Sequence, residues 1–306
     1  MFDKTSYHGH QGAVLLLFLV SFGAHAATLV VGPAQPYMAI QDALVDAQDG
    51  DVIEVEPGVY TGPLLVDVPN LQLVGIGGPL TTTLSSASVS ATVEIAAANI
   101  TIAGFELFNS DGAAITSLDW NLTLDDIRVV GMFGTSPIDA SGYLTVIDST
   151  FSGNGSTSSG GAISMRDSSH LTVIDSVFTG NLVNRDGGAI DLGEGGQHAI
   201  SGSQFTDNTA GIDGGAIHQS WRSIQGYGTL NVDLSTFERN TAIGSAGAIS
   251  GRFGSISQSV SRQHRWRGRW GGHHPVPRRV LARVRLLLRL LSLRLRIGRG
   301  WKPLFG

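Results

Sequence analysis

Short bursts of strict alternation run along the chain: Leu71-Gln72-Leu73, Ile100-Thr101-Ile102, Leu122-Thr123-Leu124, Leu144-Thr145-Val146, Leu171-Thr172-Val173 and Leu230-Asn231-Val232, with Ala199-Ile200 holding the matching place before the last. Period-two alternation describes a strand with one face in the core and the other in water. From the last apolar residue of one burst to that of the next, the chain advances 29, 22, 22, 27, 27 and 32 residues. A closed blade or a helical repeat does not tolerate such variation. A coil whose turns differ only in the length of their outer loops does.

A second phrase follows four of these strands. Phe151 to Asn154, Phe178 to Asn181, Phe205 to Asn208 and Phe237 to Asn240 each span three residues, and each Phe is followed twelve residues later by the Ile that closes Gly-Gly-Ala-Ile (Ala-Gly-Ala-Ile in the fourth copy). The two phrases together predict a parallel β-solenoid in which every strand pairs with its counterpart one turn along, ~4.8 Å away. Leu144, Val146 and Phe151 then point inward and stack on their equivalents. The five-residue step from Val146 to Phe151 breaks the alternation, so a corner lies between them, at Asp148-Ser149 and again at Asp175-Ser176. The four Asn are expected at a second corner, tolerating a left-handed backbone and hydrogen-bonding from turn to turn. The Gly pair permits a tight bend back toward the core. Seven marked turns give a shaft on the order of 30 Å at ~4.8 Å per turn.

Ahead of the repeats, Ile40, Ala43, Leu44 and Ala47 fall on one face of a helix, followed by a strand at Val52-Ile53-Glu54-Val55 and a turn at Pro57-Gly58-Val59-Tyr60. Such a helix covers the open end of a solenoid and blocks edge-to-edge pairing. Earlier still, Lys4, the apolar run Ala13 to Phe22 and Ala24-His25-Ala26 have the order of an export signal with a small-x-small cleavage site, and ten apolar residues are too few for a bilayer span. The expected organisation is a signal peptide at 1–26, a β-helix domain at 27–260 and an Arg-rich tail at 261–306.

These phrases carry a resemblance. The stretch from Ile40 through Gly50-Asp51-Val52-Ile53 to Tyr60 resembles the N-terminal cap of right-handed parallel β-helix proteins of the pectin-lyase-like superfamily. The paired Phe-x-x-Asn and Gly-Gly-Ala-Ile phrases, over about 143 to 250, resemble polymorphic outer membrane protein repeats, found on exported and cell-surface bacterial β-helices. The resemblance implies an all-β, right-handed parallel β-helix with an N-terminal capping helix. It does not fix an activity, since lyases, hydrolases, esterases, adhesins and autotransporter passengers share the scaffold.

Composition narrows the chemistry. Glycine, at 41 of 306 residues, suits a turn-rich β chain, and the absence of cysteine excludes disulfides, thiolate zinc sites and a cysteine nucleophile. The net charge of −5 hides a split: residues 1–251 hold six Lys or Arg against all 25 acidic residues, a balance of −19, while residues 252–306 carry thirteen Arg, one Lys and no acid. Such a body disfavours nucleic acid as a partner. In the tail the repeat grammar gives way to Trp266, Trp270, His273-His274 and an Arg/Leu tract. Its arginines spread around any helix and are too many for a bilayer span. A reading-frame shift near 253 to 262 is the favoured account; a basic, membrane-surface tail is the other.

Candidate catalytic residues are few. Asp126, Asp148 and Asp175 lie two residues after their strand markers, so they form a column on adjacent turns. That spacing suits a shared-proton acid pair, or calcium at Asp148 and Asp175; it equally suits plain corner formers, because Gly202 and Leu234 take the same place later. Asp125-Asp126 lacks the Gly-His-Gly and Arg-x-Lys that accompany the acidic pair of polygalacturonases, and the Gln and Asp motifs of pectin methylesterases are not recognisable. Arg166, Arg185 and Arg222 fall in variable loops, and His170, His198 and His218 have no metal-like spacing. The expected function is adhesion or display at the cell surface or outer membrane, by a monomer that contacts glycans or surface proteins and needs no cofactor unless calcium. The alternatives are a polysaccharide (pectin/uronate) lyase or glycoside hydrolase, and a truncated product without activity.

Overall fold

A computed structural model describes residues 26–262 apart from 88, 110–111, 221–227, 252 and 258. The export signal and nearly all of the Arg-rich tail lie outside the described residues. Within them the chain winds as a parallel β-solenoid: two sheets run along its length, a third of five strands joins them from Phe133–Gly134 to Thr241–Ala242, and every strand pairing is parallel, from Thr28–Val31 on Val52–Val55 to Thr236–Glu238 on Val260–Arg262.

One turn shows how the sequence produces the coil. His170–Ile174 lies in the first sheet with Leu171 and Val173 buried and Thr172 outward. The chain bends at Asp175, whose φ of 48° is left-handed, and Val177–Thr179 enters the second sheet with Phe178 inside. Gly180, at φ 64°, makes the next bend. Leu182–Val183 forms the third sheet, and Ile190–Glu194 returns the chain to the first. The Gly pair does two jobs. Gly187 adopts φ 69°, and Gly188 packs so closely on the next turn that a Cβ would overlap the Gly215 carbonyl oxygen.

Register follows the alternation. Ile53, Leu73, Ile102, Leu124, Val146, Val173, Ile200, Val232 and Ile256 are consecutive partners in a single column. The nine-stranded second sheet gives the same number of turns. The shaft is therefore longer than the seven marked bursts imply, roughly 38 Å at ~4.8 Å per turn, because Ile53 and Ile256 extend the column at both ends. In two turns the bursts fuse with the segment before them into the long strands Ile115–Asp125 and Ile138–Ile147. The helix Ile40–Asp46 buries Ile40, Ala43 and Leu44 over the N-terminal end of the core.

The interior is a set of single-residue columns. Phe151, Phe178, Phe205 and Phe237 stack with ring centroids 4.9, 4.8 and 4.8 Å apart and interplanar angles of 4°, 3° and 3°. Such a buried Phe contributes ~1.5–3 kcal/mol by burial, and each ring pair roughly 0.5–1.5 kcal/mol more. Towards the N-terminus the same column continues as Val129, Leu107, Leu84 and Tyr60.

Beside it runs a buried amide ladder: Asn154, Asn181 and Asn208 each donate their backbone N–H and Nδ2 to the Oδ1 of the next Asn, ending at Asn240, over 2.9–3.1 Å. The turn-to-turn hydrogen bonds expected of these residues are present, but the left-handed backbone belongs to the residue before each one: Gly153, Gly180, Asp207 and Arg239. That residue turns the chain so that the amide can point inward. Ser149, Ser176, Ser203 and Ser235 form a second buried ladder. Each Oγ accepts the N–H of the residue one turn back and donates to the carbonyl two residues before it, as for Ser176, which takes Ser149 N–H at 3.1 Å and gives to Ile174 O at 2.8 Å.

Candidate functional site

The acidic column is a row of corners. Asp126, Asp148 and Asp175 have φ of 48°, 46° and 48°, and Gly202 and Leu234, which follow in the column, have 61° and 50°. Each of the three Asp donates its backbone N–H across to the strand end of the next turn, to Ile147, Ile174 and Ser201 carbonyls. Gly202 does the same to Asp233 O without a side chain, so the corner is a backbone device that Asp tolerates well. Burial, and then the charges of Asp125 and Asp148, raise the Asp126 carboxyl above the usual carboxylate range. The Asp175 carboxylate folds over Gly202, into the space a Cβ would take. Among the described residues no group of three or more His, Asp or Glu side chains is placed to hold a metal ion.

A denser polar arrangement lies elsewhere, where the chain re-enters the first sheet. Thr116, Asp139, Ser164, Asp191, His218 and Ser250 are register partners on its outward side. Arg166 reaches back one turn to Asp139 at 2.9 Å. His218 Nδ1 bonds Asp191 Oδ1 at 2.7 Å. Burial opposes protonation of His218, but the Asp191 hydrogen bond and the charges of Asp191, Asp186 and Asp213 outweigh it and raise its pKa. Asp186 and Asp213 themselves cap the Gly-Gly bends: Asp186 Oδ1 accepts Asp213 N–H at 3.0 Å, and Asp213 Oδ1 accepts the Ser245 hydroxyl at 2.8 Å. The arrangement stitches neighbouring turns by charge. It was legible only after aligning the repeats, since Asp191 and His218 each follow the Ile of Gly-Gly-Ala-Ile.

The remaining histidines separate by depth. His198 sits in the core column between Leu171 and Leu230. Its Nδ1 accepts Leu171 N–H at 3.2 Å, which leaves Nε2–H to donate to Gly195 O at 3.2 Å. Burial, partly offset by that Gly195 bond and reinforced by His170, lowers its pKa to about 4. His170 lies outside, with its ring stacked on Tyr143 at 4.5 Å and 7°. Arg185 is exposed, and Arg222 lies outside the described residues.

Residues 148–165 and 202–220 match the Chlamydia polymorphic membrane protein repeat. The fold is similar to pectin methylesterases in solved structures. The Aspergillus niger enzyme is 13% identical, with 83% of this chain and 92% of that one covered at a TM-score of 0.49. PemA from Erwinia chrysanthemi is 11% identical, with 83% and 99% covered at 0.47, and the carrot enzyme 12% identical, with 77% and 89% covered at 0.45. No curated protein matches the chain.

Proposed function

We propose that the chain is an exported β-solenoid displayed at the cell surface or outer membrane, where it engages glycans or surface proteins without turning them over. The observation that carries this reading is the use made of the repeat's polar residues. The buried Asn and Ser hold the interior together, the Asp column makes corners, and the His218–Asp191 and Arg166–Asp139 pairs tie turn to turn. The two segments match a repeat described for Chlamydia polymorphic membrane proteins, which supports a place at the surface. A stiff shaft with ordered outward rows suits projection and contact, and its acidic exterior disfavours polyanions such as nucleic acid.

The test is protease shaving of intact cells producing the full chain, together with adhesion of those cells to glycan-coated surfaces. Degradation by external protease and binding above cells lacking the gene are expected. A chain protected until lysis defeats the display reading. Uronate or glycan depolymerisation that is abolished by Asp148→Asn or Asp175→Asn, with or without calcium, replaces adhesion by the lyase or hydrolase alternative.

A further inference from the structure

One outward row of the first sheet is unlike the others. Asn121, Tyr143 and His170 are register partners on three successive turns, and Asn99, one residue ahead of its strand, precedes them on the turn before. Asn99 Nδ2 donates to Asn70 Oδ1 at 2.9 Å and Asn121 Nδ2 to Asn99 Oδ1 at 3.0 Å, so the amides are held in line. The line then steps up. Tyr143 is 58% exposed although His170 covers one face of its ring; the other face looks back along the shaft over the shorter Asn121. Alongside, two residues on in each strand, Thr123 and Thr145 continue an uncharged column of hydroxyls. No carboxylate, Lys or Arg enters either column across these four turns, in a body that carries 25 acidic residues against six basic ones.

We propose that this step is a binding site for a neutral, extended glycan. It rests on the surface-contact reading above and names the ligand class and the place. One sugar ring lies over Asn121 with its C–H face on the open face of Tyr143, as apolar ring faces pack on aromatic ones. Its hydroxyls meet the fixed amides of Asn99 and Asn121 and the hydroxyls of Thr123 and Thr145. These groups both donate and accept, which matches a sugar hydroxyl and offers nothing to pair with a fixed charge. The acidic surroundings disfavour uronates and sulfated chains, and the absence of Lys and Arg leaves them without a counter-charge. His170 stiffens the platform: its Nδ1 accepts Gln197 N–H at 3.2 Å, which fixes the ring that backs Tyr143.

The experiment is calorimetric titration of the full chain with chitohexaose, cellohexaose and hexagalacturonate. At least one neutral hexasaccharide is expected to bind at least tenfold more tightly than hexagalacturonate. Tyr143→Ala and Asn121→Ala, each checked for an unchanged circular dichroism spectrum, should each weaken that binding tenfold or more, while Tyr143→Phe stays within twofold. Asn121 is exposed, so its variant remains informative if Tyr143→Ala disturbs the strand. Equal binding by wild type and both alanine variants, tighter binding of hexagalacturonate, or no binding of either neutral probe overturns the proposal. Cells producing Tyr143→Ala that adhere as well as wild type to a surface coated with the neutral glycan retain the display reading and remove this site. Glycan binding by a chain that never reaches the surface does the reverse.

Discussion

Replacing Asn181 with alanine takes the middle out of the buried amide ladder while leaving the apolar columns alone. Its Oδ1 accepts Asn154 N–H and Asn154 Nδ2, both at 3.1 Å, and its Nδ2 donates to Phe151 O at 3.1 Å and Asn208 Oδ1 at 2.9 Å. Three of these partners have other bonds: Asn154 Nδ2 keeps Val129 O, Asn208 Oδ1 keeps the backbone N–H of residue 181, and Phe151 O stays in the β-ladder that pairs Phe151 with Phe178. The fourth, Asn154 N–H, is left without this bond inside a fully buried column. At ~1–3 kcal/mol for a group left unsatisfied in the interior, the loss is about 2 kcal/mol. Asn121→Ala removes a similar amide bond in water and should cost less than ~0.5 kcal/mol. A solenoid can unfold in segments rather than as a unit, so hydrogen exchange at the Asn154 amide in the native protein is the sharper assay. A loss of about 2 kcal/mol accelerates it roughly thirtyfold. An Asn154 exchange rate within threefold of wild type, or an Asn121→Ala effect as large as that of Asn181→Ala, would refute the assignment of the ladder as a burial-dependent brace.

Acid should weaken the fold through His198: above pH 6.5 both folded and unfolded states hold it neutral, but as pH falls the unfolded chain takes the proton first, because the folded pKa is about 4. Stability then declines by roughly 1.4 kcal/mol per pH unit between 6.5 and 4, about 3 kcal/mol in all. His218, with its raised pKa, contributes with the opposite sign, in full below 6.5 and lost as pH rises through its folded value. Ring-proton NMR titration tells the two apart, and a His198 that titrates near 6.5 contradicts its placement in the core. Phe178→Ala, which empties the middle of the ring stack, should cost about 3–5 kcal/mol in urea unfolding, and Phe178→Leu clearly less; equal costs would mean the stack is not filled. Leu234→Gly should stabilise by about 1 kcal/mol, since Leu234 holds φ 50° at an exposed corner where Gly202 already serves; a lowered melting temperature would refute that corner strain.

What the sequence shows and what it hides divide along the wall of the tube. The interior is legible because one lap of chain must place a like residue over a like residue, so Phe151 or Asn154 recurs at a fixed place in the frame however long the loops become. The serine ladder was half-visible: Ser149 and Ser176 mark the corner, but a hydroxyl bridging two turns leaves no trace in hydropathy. His198 is named among the candidate histidines, but its place in the core is hidden because a polar letter in an inward slot reads as a break in the pattern, and only the register puts it between Leu171 and Leu230. Outward residues obey no such rule. Asn121, Tyr143 and His170 share a column yet differ in every property that pattern-reading uses, so their juxtaposition becomes apparent only once the strands are paired.

The same frame locates where the repeat grammar lapses. From Val232 the eighth turn proceeds to Ser235 at the buried corner and Phe237 in the ring stack; from Ile256 the ninth proceeds to Ser259 and Ser261. Ser259 still does the corner's work, accepting Ser235 N–H at 3.2 Å. Ser261, paired with Phe237 in the second sheet, stands where an aromatic ring should continue the file, and His264 stands where the ladder asparagine should follow. The break thus falls between residues 259 and 261, at the late edge of the window that loss of acidic residues indicated. A reading-frame shift there makes a sharp demand on the gene. One of the other two frames, read from codon 260, should restore Phe at the position of Ser261, Asn three codons later and a Gly-Gly-Ala-Ile phrase beyond. Absence of that phrase from both frames would mean that the serine is encoded as such, and that the basic stretch after it is a genuine tail with its own chemistry.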